Sequence, residues 1–215
     1  RLQGDWSSDV CSSDLELQNI RLSKKQKKNV VKKSRKTRSK EPLKHSYSEV
    51  PMIEAGLDEA GRGPLIGRVY TAAVILDPHI EPHPLLNDSK KLTRKRRQIV
   101  REWVEQNAVQ YAVCYSDESI IDKINILNAT YQAMHQSIDE LGIIPDHIIV
   151  DGNKFQPYIN SDGNFVNHTC ICKGDSKYTA ISAASVLAKE YHDNYIYNRS
   201  EEHTSELQSP CNLVC

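Results

Sequence analysis

The chain has 215 residues, 39% of them hydrophobic and 26% charged, and its 28 Lys/Arg balance 28 Asp/Glu. No window approaches the roughly 20 apolar residues of a membrane-spanning helix, and the start lacks the apolar core of a secretory signal. The size suits one domain with tails.

Taken from the N-terminus, Arg1–Leu15 is expected to lie outside the fold, together with Arg199–Cys215. Arg199–Cys215 can be written in codons beginning AGA TCG GAA GAG whose reverse complement, in one frame, encodes Arg1 through Asp14 and opens Leu15. One DNA segment read on both strands thus accounts for both ends, and it resembles a sequencing-library adapter. Three of the six cysteines, Cys11, Cys211 and Cys215, go with these ends.

Arg21–Lys40 holds 11 Lys/Arg and no acid, within an arm and linker spanning 16–51. Like charges at this density repel and bury little. Three readings stand: a solvated tail, a phosphate-binding arm, or a nuclear-import address. The rest, Glu41–Asn198, is mildly acidic, with 15 basic against 21 acidic residues.

From Met52 the pattern turns to alternating elements. Ile53–Asp58 predicts a strand running into a Gly-rich turn, and Val69–Leu76 a β-branched strand stopped by Asp77-Pro78. Thr93–Asn107 predicts a helix, with Thr93 a candidate cap and Ile99, Val100, Trp103 and Val104 at helical spacing. Tyr111–Tyr115 predicts a strand, Asp117–Asp122 and Leu127–Leu141 helices, the second ended by Gly142. His147–Val150 and Phe165–Cys172 read as strands, and Tyr178–Tyr195 as a helix with an Ala/Ser-rich face. Helices alternating with strands indicate a single α/β domain over 52–198. Cys114, Cys170 and Cys172 read as reduced strand residues, because one residue between the last pair is too few for a zinc clamp.

Four acids follow apolar runs. Asp58 and Glu59 end the first strand, Asp151 ends Ile148-Ile149-Val150, and Asp175 precedes the last helix. Ligands of open α/β sheets gather at strand ends, so residues far apart in sequence can meet there. Converging carboxylates repel unless a cation neutralises them, and hard oxygen donors suit Mg²⁺ or Mn²⁺. Spacing alone is also compatible with solvated loop acids.

The surrounding motifs decide more. Gly56-Leu57-Asp58-Glu59-Ala60-Gly61-Arg62-Gly63 sets a double acid beside a glycine-rich turn whose backbone can approach a ligand closely. With Leu86-Asn87-Asp88-Ser89-Lys90-Lys91-Leu92, Val150-Asp151-Gly152-Asn153, Lys173-Gly174-Asp175-Ser176 and Ile181–Lys189, the chain resembles the type 2 ribonucleases H, most closely bacterial-type ribonuclease HII. These blocks keep the family's order over about Met52–Tyr195.

The resemblance implies an RNase H-like fold, a mixed central sheet flanked by helices. It implies an endonuclease dependent on Mn²⁺ or Mg²⁺, two ions during catalysis. Its substrates would be the RNA strand of RNA–DNA hybrids and ribonucleotides embedded in duplex DNA, cut on the 5′ side to leave 5′-phosphate and 3′-hydroxyl ends. Asp58, Glu59, Asp151 and Asp175 match the catalytic metal ligands, with Asp58 shared between the ions. Gly61, Arg62 and Gly63 match the motif that senses the ribose 2′-hydroxyl, the group that separates RNA from DNA. Asn87, Ser89 and Lys90 match contacts to the nucleic acid near its phosphates. A cytoplasmic monomer with no membrane partner is expected.

Arg68 departs from the family pattern, which has a small residue or Pro there. A further segment bearing a Tyr that deforms the duplex has no counterpart to assign in this chain. Two rival readings follow: an impaired nucleic-acid-binding fragment, and an RNase H-fold nuclease acting on DNA. Lys90-Lys91 and Arg94–Arg97 read either as a solvated helix start or as a basic ridge, and Asp193 and His192 as structural.

Overall fold

A computed structural model describes residues 42–63, 67–86 and 92–208, with side chains as far as 200. The basic run Arg21–Lys40 and the segment 1–15 lie outside the described residues.

The strands are β1 (Glu54–Ala60), β2 (Val69–Ile75), β3 (Gln110–Ser116), β4 (His147–Asp151), β5 (Tyr158–Ile159) and β6 (Phe165–Ile171). Among the described residues they form one sheet in the order β3-β2-β1-β4-β6-β5. β1, β4 and β6 run parallel, while β2, β3 and β5 are antiparallel to their neighbours. The parallel trio therefore delivers its C-terminal ends to one rim, with Asp58 and Asp151 in the last residues of β1 and β4 and Asp175 on the turn after β6.

Three helices cover the sheet: α1 (Arg94–Asn107), α2 (Glu118–Asp139) and α3 (Thr179–Gln208). Strand alternation divides the core between the two faces. Leu57, Ile148 and Val150 pack with Met134 and Ile138 of α2 on one side. Ala72 and Val74 pack with Val100 and Val104 of α1 and with Ala183, Ala184 and Leu187 of α3 on the other. All of these are buried, and each large aliphatic contributes about 1.5–3 kcal/mol by leaving water.

Gly56 explains how closely α3 approaches β1. A Cβ there would come within 2.3 Å of the Ala180 carbonyl carbon, which is backbone and cannot swing away. The small residues of α3 serve the same contact from the helix side.

Helix α2 begins where Asp117 accepts the amide of Ile120. It breaks at Asn125, whose φ of 67° is left-handed, and Asn125 Oδ1 accepts the amides of Leu127 and Asn128 to restart it. The two helices expected from the sequence are thus both present, meeting at a kink at Asn125. Gly142, at φ 68°, turns the chain past the helix end.

Three expectations need correction. Helix α3 runs to Gln208, not Tyr195, because Ile196–Gln208 contains neither Gly nor Pro to stop it. Cys172 stands beyond β6 rather than within it. Arg97 is not part of a solvated helix start: it is buried, and it is ion-paired to Glu190 at 3.0 Å and Asp193 at 2.8 Å. Among the described residues no helix is long and apolar enough to cross a membrane.

Candidate active site

Asp58 is the fifth residue of β1 and is buried. Alternation puts it on the α3 face, where the Ser185 side chain hydrogen-bonds to it. Its Oδ1 accepts the amide of Glu59 at 2.7 Å. Burial first, then the charges of Glu59 and Asp151, push its carboxyl well above the usual carboxylate range, against the lowering effect of those hydrogen bonds.

Leu57 pairs with Val150 in the parallel ladder, so the residues after them, Asp58 and Asp151, stand side by side at the strand ends. Asp151 Oδ1 accepts the amide of Gly174 at 2.7 Å. Gly174 opens a 3₁₀ turn, Gly174–Ser176, entered through Lys173 in the left-handed region at φ 57°. That turn carries Asp175, also buried, to the same rim.

Glu59 belongs to the opposite face by alternation. With Arg62, Asp151, Asn153, Lys154 and Tyr131 it lines a cavity of about 320 Å³ between the rim and α2. Arg62 Nη1 lies 3.3 Å from Glu59 Oε1. The four acids therefore share one rim, with Asp58 toward α3 and with Glu59 and Asp151 lining the adjoining cavity.

The donors fit a divalent ion in kind: all are carboxylates, and mutual charge already disfavours ionisation of Asp58. They do not form a closed cage as placed. Among the described residues, no group of three or more His, Cys, Asp or Glu is arranged to hold a metal ion. Like charges hold themselves apart, and an ion would draw them inward.

The glycine-rich turn leaves β1 at Ala60. Gly61 adopts φ +92°, while a Cβ at Gly63 would meet nothing within 4 Å among the described residues. Asn87, Ser89 and Lys90 lie outside the described residues.

The ribonuclease HII family model matches residues 55–211. The chain belongs to the ribonuclease HII family. Ribonuclease HII of Bacteroides thetaiotaomicron is 48% identical over 157 residues, spanning 73% of this chain and 76% of that protein. The ribonuclease H2 structure from Pyrococcus horikoshii aligns with a TM-score of 0.60 at 27% identity, covering 71% of this chain and 77% of that one. Bst-RNase HIII, solved in complex with Mn²⁺, aligns at 0.54 and 20% identity over 70% of this chain and 55% of that one, a likeness of fold. The RNase H-like architecture expected from the motifs is thus the one observed, and the chain is a type 2 ribonuclease H.

Several residues of this ribonuclease HII site escape a linear reading. Ser185, which bonds Asp58, sits among alanines in α3, and only its face of the helix marks it. Lys154 joins the cavity three residues after Asp151. The buried pair Arg97–Glu190, with the half-buried Asp193, forms an ionic cluster linking α1 to α3. Their separations of 93 and 96 residues leave no local signal.

Proposed function

We propose that the domain hydrolyses the RNA strand of RNA–DNA hybrids and incises 5′ of ribonucleotides embedded in duplex DNA. The observation that carries this reading is the convergence of Asp58, Asp151 and Asp175 at the rim formed by β1 and β4, with Glu59 opening onto the adjoining cavity. Asp58, Glu59, Asp151 and Asp175 are the residues to hold Mn²⁺ or Mg²⁺. When bound, a pair of such ions neutralises the phosphate and activates water for in-line attack.

The chain's own residues do the positioning. The amides of Glu59 and Gly174 fix one oxygen each of Asp58 and Asp151. Ser185 sets the Asp58 carboxyl from the α3 side. Gly61-Arg62-Gly63 offers main chain to the ribose 2′-hydroxyl, and Arg62 and Lys154 place positive charge where a phosphate backbone would pass. Asn87, Ser89 and Lys90 are assigned to phosphate contacts on the motif they occupy, and the basic arm to non-specific attraction of the duplex.

The domain reading is part of this proposal. Residues 52–198 are the catalytic domain, 16–51 its arm and linker, and 1–15 and 199–215 foreign flanks. The family match reaches residue 211 and α3 reaches Gln208, so both enter the second flank; the codon relation stands apart from both. Resequencing the source DNA tests it, and native codons for both ends would overturn it. The protein is taken to act as a cytoplasmic monomer.

The functional test is incubation with three duplexes, an RNA–DNA hybrid, DNA with one ribonucleotide, and all-DNA, each with and without Mn²⁺. Metal-dependent cutting of the first two alone is the expected result. Salt-sensitive binding with no cut identifies the binding-fragment alternative, and a cut all-DNA duplex identifies a DNA-directed nuclease.

A further inference from the structure

His192 is buried in α3, and its Nε2 has no hydrogen-bond partner among the described residues. Such an orphan is costly and calls for a reason. The rest of the ring is firmly held. Tyr70 packs against it edge-on at 6.2 Å between centroids. Its Nδ1 lies 3.4 Å from Asp193 Oδ1.

Asp193 is itself clamped. Arg97 Nη2 donates to it at 2.8 Å and Lys189 Nζ at 2.6 Å, while Arg97 Nε bonds the fully buried Glu190 at 3.0 Å. Burial alone would raise the Asp193 carboxyl, but Lys189, His192 and Arg97 together outweigh it and hold it below the usual range. A carboxylate only accepts, so in the tautomer that places the ring proton on Nδ1, facing Asp193, Nε2 is an acceptor.

That acceptor abuts Gly61. A Cβ at Gly61 would lie 2.6 Å from His192 Cδ2, 2.9 Å from Nε2 and 2.6 Å from the Arg68 carbonyl. The first glycine of the turn is therefore wedged between the imidazole edge and the start of β2. The ring cannot reach a substrate through this backbone, so any effect it has passes through the turn.

We infer that His192 is a positioning residue for ribose recognition: its Nε2 accepts a backbone N–H of the Gly61–Gly63 turn when the turn closes on the 2′-hydroxyl, and Asp193 with Arg97 sets the ring that does so. This rests on the functional reading above. It makes the ionic cluster around Arg97 and Asp193 the rear support of the specificity element, in addition to a tie between α1 and α3. It also makes glycine necessary at position 61 for a reason beyond its positive φ, since no other residue leaves room for the ring.

Two near-isosteric variants separate this role from packing. His192→Asn keeps a polar atom toward Asp193 and removes the one at Nε2; His192→Gln keeps an acceptor near Nε2. Steady-state kinetics on duplex DNA with one ribonucleotide and Mn²⁺ should show His192→Asn losing about tenfold in kcat/KM, the effect of one hydrogen bond. The loss falls mainly on KM, and His192→Gln stays within about twofold on the same argument. Melting temperatures should be alike. Amide exchange at Gly61, Arg62 and Gly63, measured in the presence of that duplex, should quicken at one of the three in His192→Asn and not in His192→Gln. Exchange at all three that is the same in His192→Asn and wild type overturns the inference whatever the kinetics show, and so does equal kinetic loss in both variants. A wild-type protein that leaves the duplex uncut sinks the functional reading instead.

Discussion

The amide of Gly174 donates to Asp151 Oδ1 at 2.7 Å, and this one bond fastens the turn that carries Asp175 to the end of β4. It separates two jobs of the same carboxylate. Asp151→Asn keeps an acceptor for Gly174 and removes the charge, whereas Asp151→Ala removes both. Both variants should lose metal-dependent cleavage. In urea titrations Asp151→Ala should be less stable than Asp151→Asn by about 1 kcal/mol, the worth of one hydrogen bond.

Asp58 carries its price in the metal-free state. Its folded-state pKa is raised, first by burial and then by Glu59, so the folded form binds a proton that the unfolded chain has already released. The stability this confers is complete below the ordinary carboxylate range and is lost as pH rises through the raised value. Asp58→Asn removes the charge and the titration. It should therefore melt above metal-free wild type, by a margin that widens from pH 4 to pH 8, while failing to cleave. Adding Mn²⁺ should raise the wild-type melting temperature most at the upper end of that range and leave Asp58→Asn little changed.

The buried pair Arg97–Glu190 predicts a different signature. Glu190 is fully buried, and Arg97 contacts it at 3.0 Å. Arg97→Met strands that carboxylate and should cost about 3–5 kcal/mol. Arg97→Met combined with Glu190→Leu should recover much of the loss, because two apolar groups need no partner. A double-mutant cycle in urea measures the coupling.

Gly56 gives the sharpest packing test. With backbone only 2.3 Å from a would-be Cβ, Gly56→Ala must push α3 off the sheet. The expected cost is about 3 kcal/mol or more, together with reduced cleavage, since Ser185 and Asp175 are placed by the same helix and its leading turn. Circular dichroism melts alongside the cleavage assay would detect both.

How far the sequence carried the account differs by element. Val69–Leu76 and His147–Val150 are apolar runs with sharp stops, and they appear within a residue or so of their expected bounds. Asp58 and Asp151 stand out because each follows an apolar run, whereas Glu59 and Asp175 were marked by their motifs; the ligand role of all four is a proposal. Tyr158–Ile159 was not legible, since two residues carry no period and their pairing with Phe165 and Val166 is a property of the hairpin. Arg97 was misread because a run of Arg and Lys looks solvated until the helix is rotated against Glu190. The role of His192 was invisible for the same reason: its relation to Gly61 exists only once α3 lies across the end of β1. The contacts expected of Asn87, Ser89 and Lys90 remain a proposal resting on the motif they occupy.

The central claim is that Asp58, Glu59, Asp151 and Asp175 close around paired cations at the shared rim of β1, β4 and β6. Anomalous diffraction from crystals grown with Mn²⁺ and a non-cleavable ribonucleotide-containing duplex tests it most directly. The account predicts two manganese peaks within coordinating distance of these carboxylates, with Asp58 touching both. Manganese bound elsewhere, or a duplex seated on the opposite edge of the sheet, would contradict it.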